Sequence, residues 1–458
     1  MTYEKFDILD SGISKNYSTN KPWNITSFKK KLEVKIISFT SGKETIELDI
    51  KNIDCTFANS IRRIITAEVP TVAFDRIYFL QNNGIMADEI LAHRIGLLPI
   101  NVDPNLLEYP SSFPTTDNLD AFDENQHLIF ELDIKNTKKK VSDSSSHKSV
   151  YSNDFKWIPY GSQTDKFSSL APSLSKSKIL LTKIGVGDEI KAKCAAVKGI
   201  GRDHAKFEAI SCCYYKFHPN IELNCKFDGE LATRLKESFA KGVIEIEPST
   251  GFAYVKNNRL DNGSREYQRH EEFLNGNVKA TIDPNHVIFY VEVHSPDVRS
   301  PDVIFKEAIQ IMIDKTEHYL KIINNLEFLQ NLSSESLHLM TDDEFLSKFP
   351  VNSEKASLCG REVSFEIVHS SKDLINGTFK FNGEDHTLGG ALRHCILQLP
   401  SDSFCGYSVP HPLEDNILIN IQNGGKPAHV ILNEGLQLLN QSFKHLLVSY
   451  QQALNCHT

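Results

Sequence analysis

One segment of this chain occurs twice, and the repeat constrains the fold more than any other feature does. NIDCTFANSIRRIITAEVP runs from Asn52 to Pro70, and a shorter copy, GEDHTLGGALRHCILQLP, runs from Gly383 to Pro400. In each copy an acidic residue (Asp54, Asp385) precedes a threonine and a bulky apolar residue. A small pair follows, Ala58-Asn59 or Gly389-Gly390, then Ile61-Arg62 or Leu392-Arg393, an apolar turn and a proline. Both copies read as a helix entered from a strand, LDI at Leu48–Ile50 and FKF at Phe379–Phe381. Thr56 and Thr387 are the expected N-caps, because a side-chain oxygen there can satisfy free backbone N–H groups. Pro70 and Pro400 cannot continue a helix. An internal duplication of this kind predicts two copies of one structural unit.

The flanking segments repeat the same grammar. In the first half, LEVKIISF and TIELDI alternate at period 2 between Leu32 and Ile50 and read as strands. Thr71–Leu80 is β-branched and aromatic, hence a strand. Asn82-Asn83-Gly84 is a turn signal. Ala87–Leu97 fits a short helix with Ile90, Leu91 and Ile95 on one face. Leu128–Ile134, the region Ile179–Cys213, Val243–Glu247 and Val287–Val293 read as strands, and Gly229–Lys241 as a helix. Val303–Leu326 is a long amphipathic helix with Phe305, Ile309, Met312, Tyr319, Ile323 and Leu326 on its apolar stripe; the step from 312 to 319 spans two turns. In the second half, strands at Val363–Val368 and Asn416–Ile421 bracket the repeat. Ala428–Tyr450 closes it with Leu432, Leu436, Leu439, Phe443, Leu446 and Tyr450 along one stripe. A wide apolar stripe must be buried. With one such helix in each half, packing the two together is the economical solution, so Phe305, Ile309, Met312, Leu436, Leu439 and Phe443 are interface candidates.

Composition narrows the function classes. A chain of 458 residues can build several domains, and its apolar (40%) and charged (24%) fractions are those of a globular protein. A formal net charge of −9 argues against a nucleic-acid clamp, which needs a basic surface. No apolar run reaches the ~18–20 residues of a membrane span, and MTYEKFDILDSG has no signal-peptide core. A nuclear or cytosolic location is expected, with the nine cysteines reduced.

Several motifs then carry a resemblance. ANSIRRIITAEVPTVAFD (Ala58–Asp75), DEILAHRIGLLPI (Asp88–Ile100), DPNLLEYP (Asp103–Pro110), VKGIGRDHAKF (Val197–Phe207) and SREYQRHEEF (Ser264–Phe273) resemble the larger alpha-like subunit shared by eukaryotic RNA polymerases I and III. DHTLGGALR (Asp385–Arg393) and FCGYSVPHP (Phe404–Pro412) resemble the smaller alpha-like partner of the same polymerases. The resemblance implies an α+β fold: two alpha-like dimerisation domains, each a sheet plus long amphipathic helices, paired as an intramolecular pseudo-dimer, with a mostly-β middle domain inserted in the first half. The expected boundaries are a flexible lead-in over 1–30, the larger dimerisation domain over 31–100 and 280–330, the inserted domain over 101–279, a linker over 331–358 and the smaller dimerisation domain over 359–458. In the family the two subunits are separate chains. Here they lie in one, either as a natural fusion or as two reading frames joined, and sequence leaves both open. A linker of this length reaches on the order of 30 Å as a random coil and would make pairing intramolecular.

The implied function is a non-catalytic assembly platform of polymerases I and III that pairs its two halves and docks the two largest subunits for ribosomal, 5S and transfer RNA synthesis. The implied location is the nucleus, nucleolus and nucleoplasm, with nucleic acid contacted only indirectly and no membrane partner. The docking candidates are Asn59, Arg62, Arg63, His93 and Arg94 in the first half and Gly389, Gly390 and Arg393 in the second, where Gly390 replaces the family's usual asparagine. Polymerase II counterparts carry a cysteine-rich zinc loop, and archaeal ones often an iron–sulfur cluster. Here no C-x-x-C pair occurs and Ile100–Glu131 has no cysteine, so no metal, cofactor or catalytic residue is expected. The alternatives are a polymerase II or archaeal-type platform, a dimerisation adaptor outside the polymerase, and an enzyme in its own right. Gly199-Ile200-Gly201-Arg202 reads as a β-turn rather than a phosphate loop, lacking the full glycine pattern and a following helix. Phe227-Asp228-Gly229-Glu230 cannot supply the clustered aspartates of a two-metal site. His204, His386 and His411 stand without a nucleophile at catalytic spacing. Glu271-Glu272 reads as a solvated face, and the Lys- and Ser-rich stretch Lys135–Asp154 as a mobile hairpin tip or surface insertion.

Overall fold

The computed structural model describes residues 5–9, 12–16, 24–40, 44–111, 122–137, 147–168, 170–176, 178–264, 266–270, 276–325, 356–358, 361–370, 375–400, 403–422 and 425–457. The fold is α+β, with antiparallel sheets covered by helices.

Both halves contain the same sheet. In the first, the spatial order is Glu33–Phe39, Thr45–Lys51, Val278–Val293, Ile210–Leu223. In the second it is Arg361–Ser370, Gly377–Asn382, Asn416–Gln422, Phe404–Ser408, with Ala356–Leu358 added at the outer edge. Each sheet thus sets its first two strands beside the strand that leads into the long helix. Thr45–Lys51 alternates so that Ile46, Leu48 and Ile50 reach the core, and Phe379 and Phe381 do so in the second copy.

The strand-to-helix corner is built alike in both halves. Asn52 and Gly383 occupy the left-handed region at φ 61° and 81°. Glycine adopts it freely and asparagine tolerates it. Their backbone N–H groups donate to the carbonyls of Asn285 and Asp415, both at 2.6 Å. The helices that follow are Cys55–Ala67 and His386–Leu397. The caps are Asp54 and Asp385, which accept from the backbone N–H groups of Thr56 and Thr387 at 2.9 and 2.8 Å. The expected threonine caps are therefore corrected by two residues: the carboxylate is the better acceptor for a helix N-terminus, and the threonines already lie in the first turn.

The long helices Pro301–Asn325 and Ala428–His457 pack on each other and on both capped helices in one continuous core. Phe305, Ile309, Met312, Leu436, Leu439 and Phe443 are all buried there. Position 326 lies outside the described residues.

Several expectations differ from the structure. Residues 24–31 are not lead-in: Asn24 caps a helix over Ile25–Lys31. Its Phe28 is buried, with its ring centroid 6.2 Å from Phe57 and 6.3 Å from His445. The boundaries of the inserted domain also shift. Pro70–Asn82 pairs with Glu189–Ile200 in a second four-stranded sheet with His127–Lys135 and Lys156–Ile158. The helix Asp88–Gly96 joins that core through Leu91 and Ile95, while Ile90, expected on the same face, is 57% exposed. Conversely, Ile210–Phe217 belongs to the first pairing sheet. Ile210–Leu223 and Val278–Val293 run from the pairing core into a further core around Ile221 and Val278, and periodicity cannot mark where they cross. Within Lys135–Asp154, Lys148–Tyr151 is a strand paired with Leu180–Ile184, and 138–146 lie outside the described residues. Tyr267, within the charged motif Ser264–Phe273, stacks on Phe239 at 5.2 Å, and 265 and 271–275 lie outside the described residues. So does the expected linker, apart from Ala356–Leu358, which is an edge strand.

Candidate functional site: the seam between the two copies

Aligning Asp54 with Asp385 sets Thr56 on Thr387, Arg62 on Arg393 and Arg63 on His394. The two capped helices cross so that each cap carboxylate faces a basic group on the other helix. Arg63 Nη2 lies 3.1 Å from Asp385 Oδ2, and its Nε donates to Thr387 Oγ1 at 2.8 Å. At the matching place, His394 Nδ1 lies 3.6 Å from Asp54 Oδ1. Burial pushes the His394 imidazole below its usual value, against the pull of Asp54, so this side of the seam is held by a neutral ring. Its edge meets Phe57 at 5.4 Å. Reciprocal contacts of this form are the mark of an isologous, two-fold interface.

Asp385 gathers further partners. Arg202 lies just past the strand Glu189–Ile200. It sends Nη1 to Asp385 Oδ2 at 3.3 Å and Nη2 to Asp415 Oδ1 at 2.5 Å, while its backbone N–H donates to Ala67 O at 2.9 Å. Burial alone would raise the Asp385 carboxyl. The bonds from Thr387, with the guanidinium groups of Arg63 and Arg202, outweigh burial and hold it at about 2. Since that folded value is depressed, the stabilisation is complete above about pH 4 and is lost as pH falls toward 2. We expect Asp385→Asn to cost about 2 kcal/mol at pH 7 and to remove this limb of the acid transition, read from urea midpoints between pH 2 and 7.

Deeper in the seam lies a buried charge cluster. Lys315, on the first long helix, places Nζ 2.8 Å from Glu68 Oε2 and 2.9 Å from Glu384 Oε2. Glu68 follows the first capped helix and Glu384 precedes the cap of the second, so the cluster joins the halves. Tyr319 OH donates to Glu384 Oε1 at 3.3 Å. All three charged residues are at most 5% exposed. Burial would lower the Lys315 ammonium, but Glu384 and Glu68 outweigh it and raise it. Burial raises the Glu384 carboxyl against the pull of Lys315. The sequence reading missed Glu68, Lys315, Glu384 and Arg202. One signal was present: the stripe of the first long helix skips from Met312 to Tyr319, and the gap holds Lys315 and Thr316.

The long helices cross at their middles. Asn440 Nδ2 donates to Thr316 Oγ1 at 2.8 Å and to Ile313 O at 3.4 Å; Lys444 Nζ pairs with Glu317 Oε1 at 2.7 Å. The rings of Phe305 and Tyr450 meet at 4.8 Å, tilted by 44°, and the tyrosine hydroxyl donates to Asp302 O at 3.1 Å. Gly435 lets the second capped helix approach: a Cβ there would stand 2.5 Å from Ile396 Cγ1. Gly435→Ala is expected to lower stability by about 1–3 kcal/mol through overpacking, measured by thermal unfolding.

The expected site residues divide among different places. Arg63 is consumed by the seam. Asn59 accepts from Arg62 Nε and Nη2 at 3.2 and 3.0 Å on the same helix. His93 and Arg94 lie exposed on the middle domain, where Arg94 Nη2 donates to Leu180 O at 2.8 Å. Gly389 is a packing position, since a Cβ there would lie 2.8 Å from Tyr407 Cδ2; at Gly390 the Tyr407 hydroxyl is 3.9 Å away. Arg393 is half-buried. Among the described residues, no three His, Cys, Asp or Glu side chains are grouped to hold a metal ion, and no helix is long and apolar enough to cross a membrane.

Two copies of one α+β unit, joined over reciprocal helix contacts, define a pairing protein. Comparison with known proteins gives that class a family. The RNA polymerase Rpb3/Rpb11 dimerisation domain matches residues 47–316 and again residues 376–449. The chain is 37% identical over 318 residues to DNA-directed RNA polymerases I and III subunit RPAC1 of Saccharomyces cerevisiae, covering 68% of this chain and 92% of the relative. It is likewise 37% identical to the human RPAC1, over 67% of this chain and 88% of the relative. The DNA-directed RNA polymerase subunit Rpo3 of Methanosphaera stadtmanae is 28% identical over 61% of this chain and 94% of its own length. The chain belongs to the RNA polymerase Rpb3/Rpb11 dimerisation-domain family.

Proposed function

We propose that the chain is the assembly platform of DNA-directed RNA polymerases I and III, without catalytic activity of its own, and that it supports synthesis of ribosomal, 5S and transfer RNA in nucleolus and nucleoplasm. The observation that carries this reading is the 37% identity to relatives named for both polymerases, over 92% of the yeast relative's length. The seam supplies the physical rationale. A platform must hold its own pairing together before it presents a surface to larger partners, and the continuous core across the two halves does so. On this reading the chain is a fusion of the larger and smaller alpha-like subunits, with the smaller unit at residues 376–449 tethered to the larger. The exposed His93 and Arg94, with the half-buried Asn59, Arg62 and Arg393, are the positions that would meet the two largest subunits.

The test is to tag the N-terminus at the native locus and identify co-purified proteins by mass spectrometry. One species near 51.8 kDa plus the tag, with the large subunits of polymerases I and III, is the expected result. Two separate pieces would refute the fusion but leave the platform. Polymerase II subunits alone, or no polymerase subunit, would refute the platform. Arg94→Glu in the same strain is expected to reduce large-subunit recovery severalfold while the chain stays folded, since only one exposed hydrogen bond is lost.

A further inference from the structure

The two halves are copies, so each pairing surface could in principle meet a second copy of itself. Matching the long helices stripe on stripe sets Phe305 on Leu432, Ile309 on Leu436, Met312 on Leu439 and Ile323 on Tyr450. The same register sets Ile313 on Asn440 and Glu317 on Lys444. These two matched pairs are also in contact, Asn440 Nδ2 with Ile313 O and Lys444 with Glu317. They therefore sit on the approximate two-fold axis, where any like pairing would bring each residue against itself.

We infer that the charges at this seam are a pairing code that admits only unlike halves. On the axis, a pair of first halves would set Glu317 against Glu317, and a pair of second halves Lys444 against Lys444. Off the axis, the buried contact Lys315–Glu384 has no charged mate. Its symmetry-related positions are Ser442 and Ile53, both buried, with the Ser442 hydroxyl donating to its own helix at Leu438 O. In a pair of second halves, each Glu384 would face Ser442 and lose its cation. In a pair of first halves, each Lys315 would face Ile53 and keep only Glu68 of its own half. Tyr319, which donates to Glu384, matches Leu446, so that hydrogen bond would be lost as well. Unpaired buried charge is strongly disfavoured, and repulsion built against wrong partners is how related surfaces become specific. The apolar stripes, nearly interchangeable between the halves, cannot discriminate. This inference concerns which halves pair and stands apart from the polymerase reading.

The experiment uses the full chain carrying a protease site between residues 331 and 355, cleaved after purification. Heavy- and light-isotope preparations are mixed, unfolded in urea and dialysed, and like and unlike pairs are counted by native mass spectrometry. For the unmodified seam we expect unlike pairs almost alone. For Lys315→Met with Glu384→Leu, and separately for Glu384→Gln with Lys444→Gln, the like-pair fraction is expected to rise about tenfold or more, the change that ~1.4 kcal/mol produces. The second variant changes little volume, so it decides the matter if the first fails to refold. A like-pair fraction that stays at the unmodified value in the refolded variants overturns the code, as would abundant like pairs in the unmodified protein. Neither result bears on recovery of polymerase subunits.

Discussion

Lys315→Met is expected to lower the stability of the folded chain by about 3–5 kcal/mol. The methionine approximates the lysine stem in volume, so packing changes little. What changes is charge: Glu68 and Glu384, at most 5% exposed, are left facing each other without the ammonium that lies within 3 Å of both. Removing one member of a buried ionic cluster costs far more than the cluster contributes net, because the remaining charge is neither hydrated nor paired. The loss should shrink as pH falls, since the Glu384 carboxyl is already pushed up by burial and takes a proton readily once Lys315 is gone. The double variant Lys315→Met with Glu384→Leu should recover part of the loss. Urea unfolding at pH 5 and pH 7, followed by circular dichroism, tests all three statements; equal midpoints for the single variant and the unmodified chain at pH 7 would refute them.

Phe443→Ala is expected to cost about 3–5 kcal/mol. Phe443 belongs to the second half and is 1% exposed; its ring lies 5.6 Å from Phe57 of the first half, at 65°. Truncation opens a cavity between the long helix Ala428–His457 and the capped helix Cys55–Ala67, and the cap contacts hold the latter in place, so the site collapses little. It also removes an edge-to-face pair worth about 0.5–1.5 kcal/mol. Phe57→Ala combined with Phe443→Ala should cost less than the sum of the single changes, because both remove the same contact. Full additivity in urea titrations would mean that the rings do not interact.

Much of this was legible in advance. The period of each strand and helix, the proline stops and the duplication all act over a few residues and are written locally. Phe305, Ile309, Met312, Leu436, Leu439 and Phe443 could be assigned to an interface because an apolar stripe has nowhere else to go. The caps were misplaced by two residues because threonine and aspartate compete for the same role, and only backbone geometry separates them. Arg202 was passed over because it sits beside a turn, about 180 residues before its partner Asp385. Chain separation of that size is invisible to any local pattern.

The amino-acid sequence by itself determined that this protein contains two copies of one unit and that each copy carries a long apolar stripe needing cover. Helical and strand periods are properties of neighbouring residues, so no tertiary information was required. The tertiary structure alone decided which charges meet. Arg63 with Asp385, Lys315 with Glu68 and Glu384, and Glu317 with Lys444 are brought together by the crossing of four helices. Coulomb interactions depend on distance and burial, and both are set only when the two halves have closed on each other.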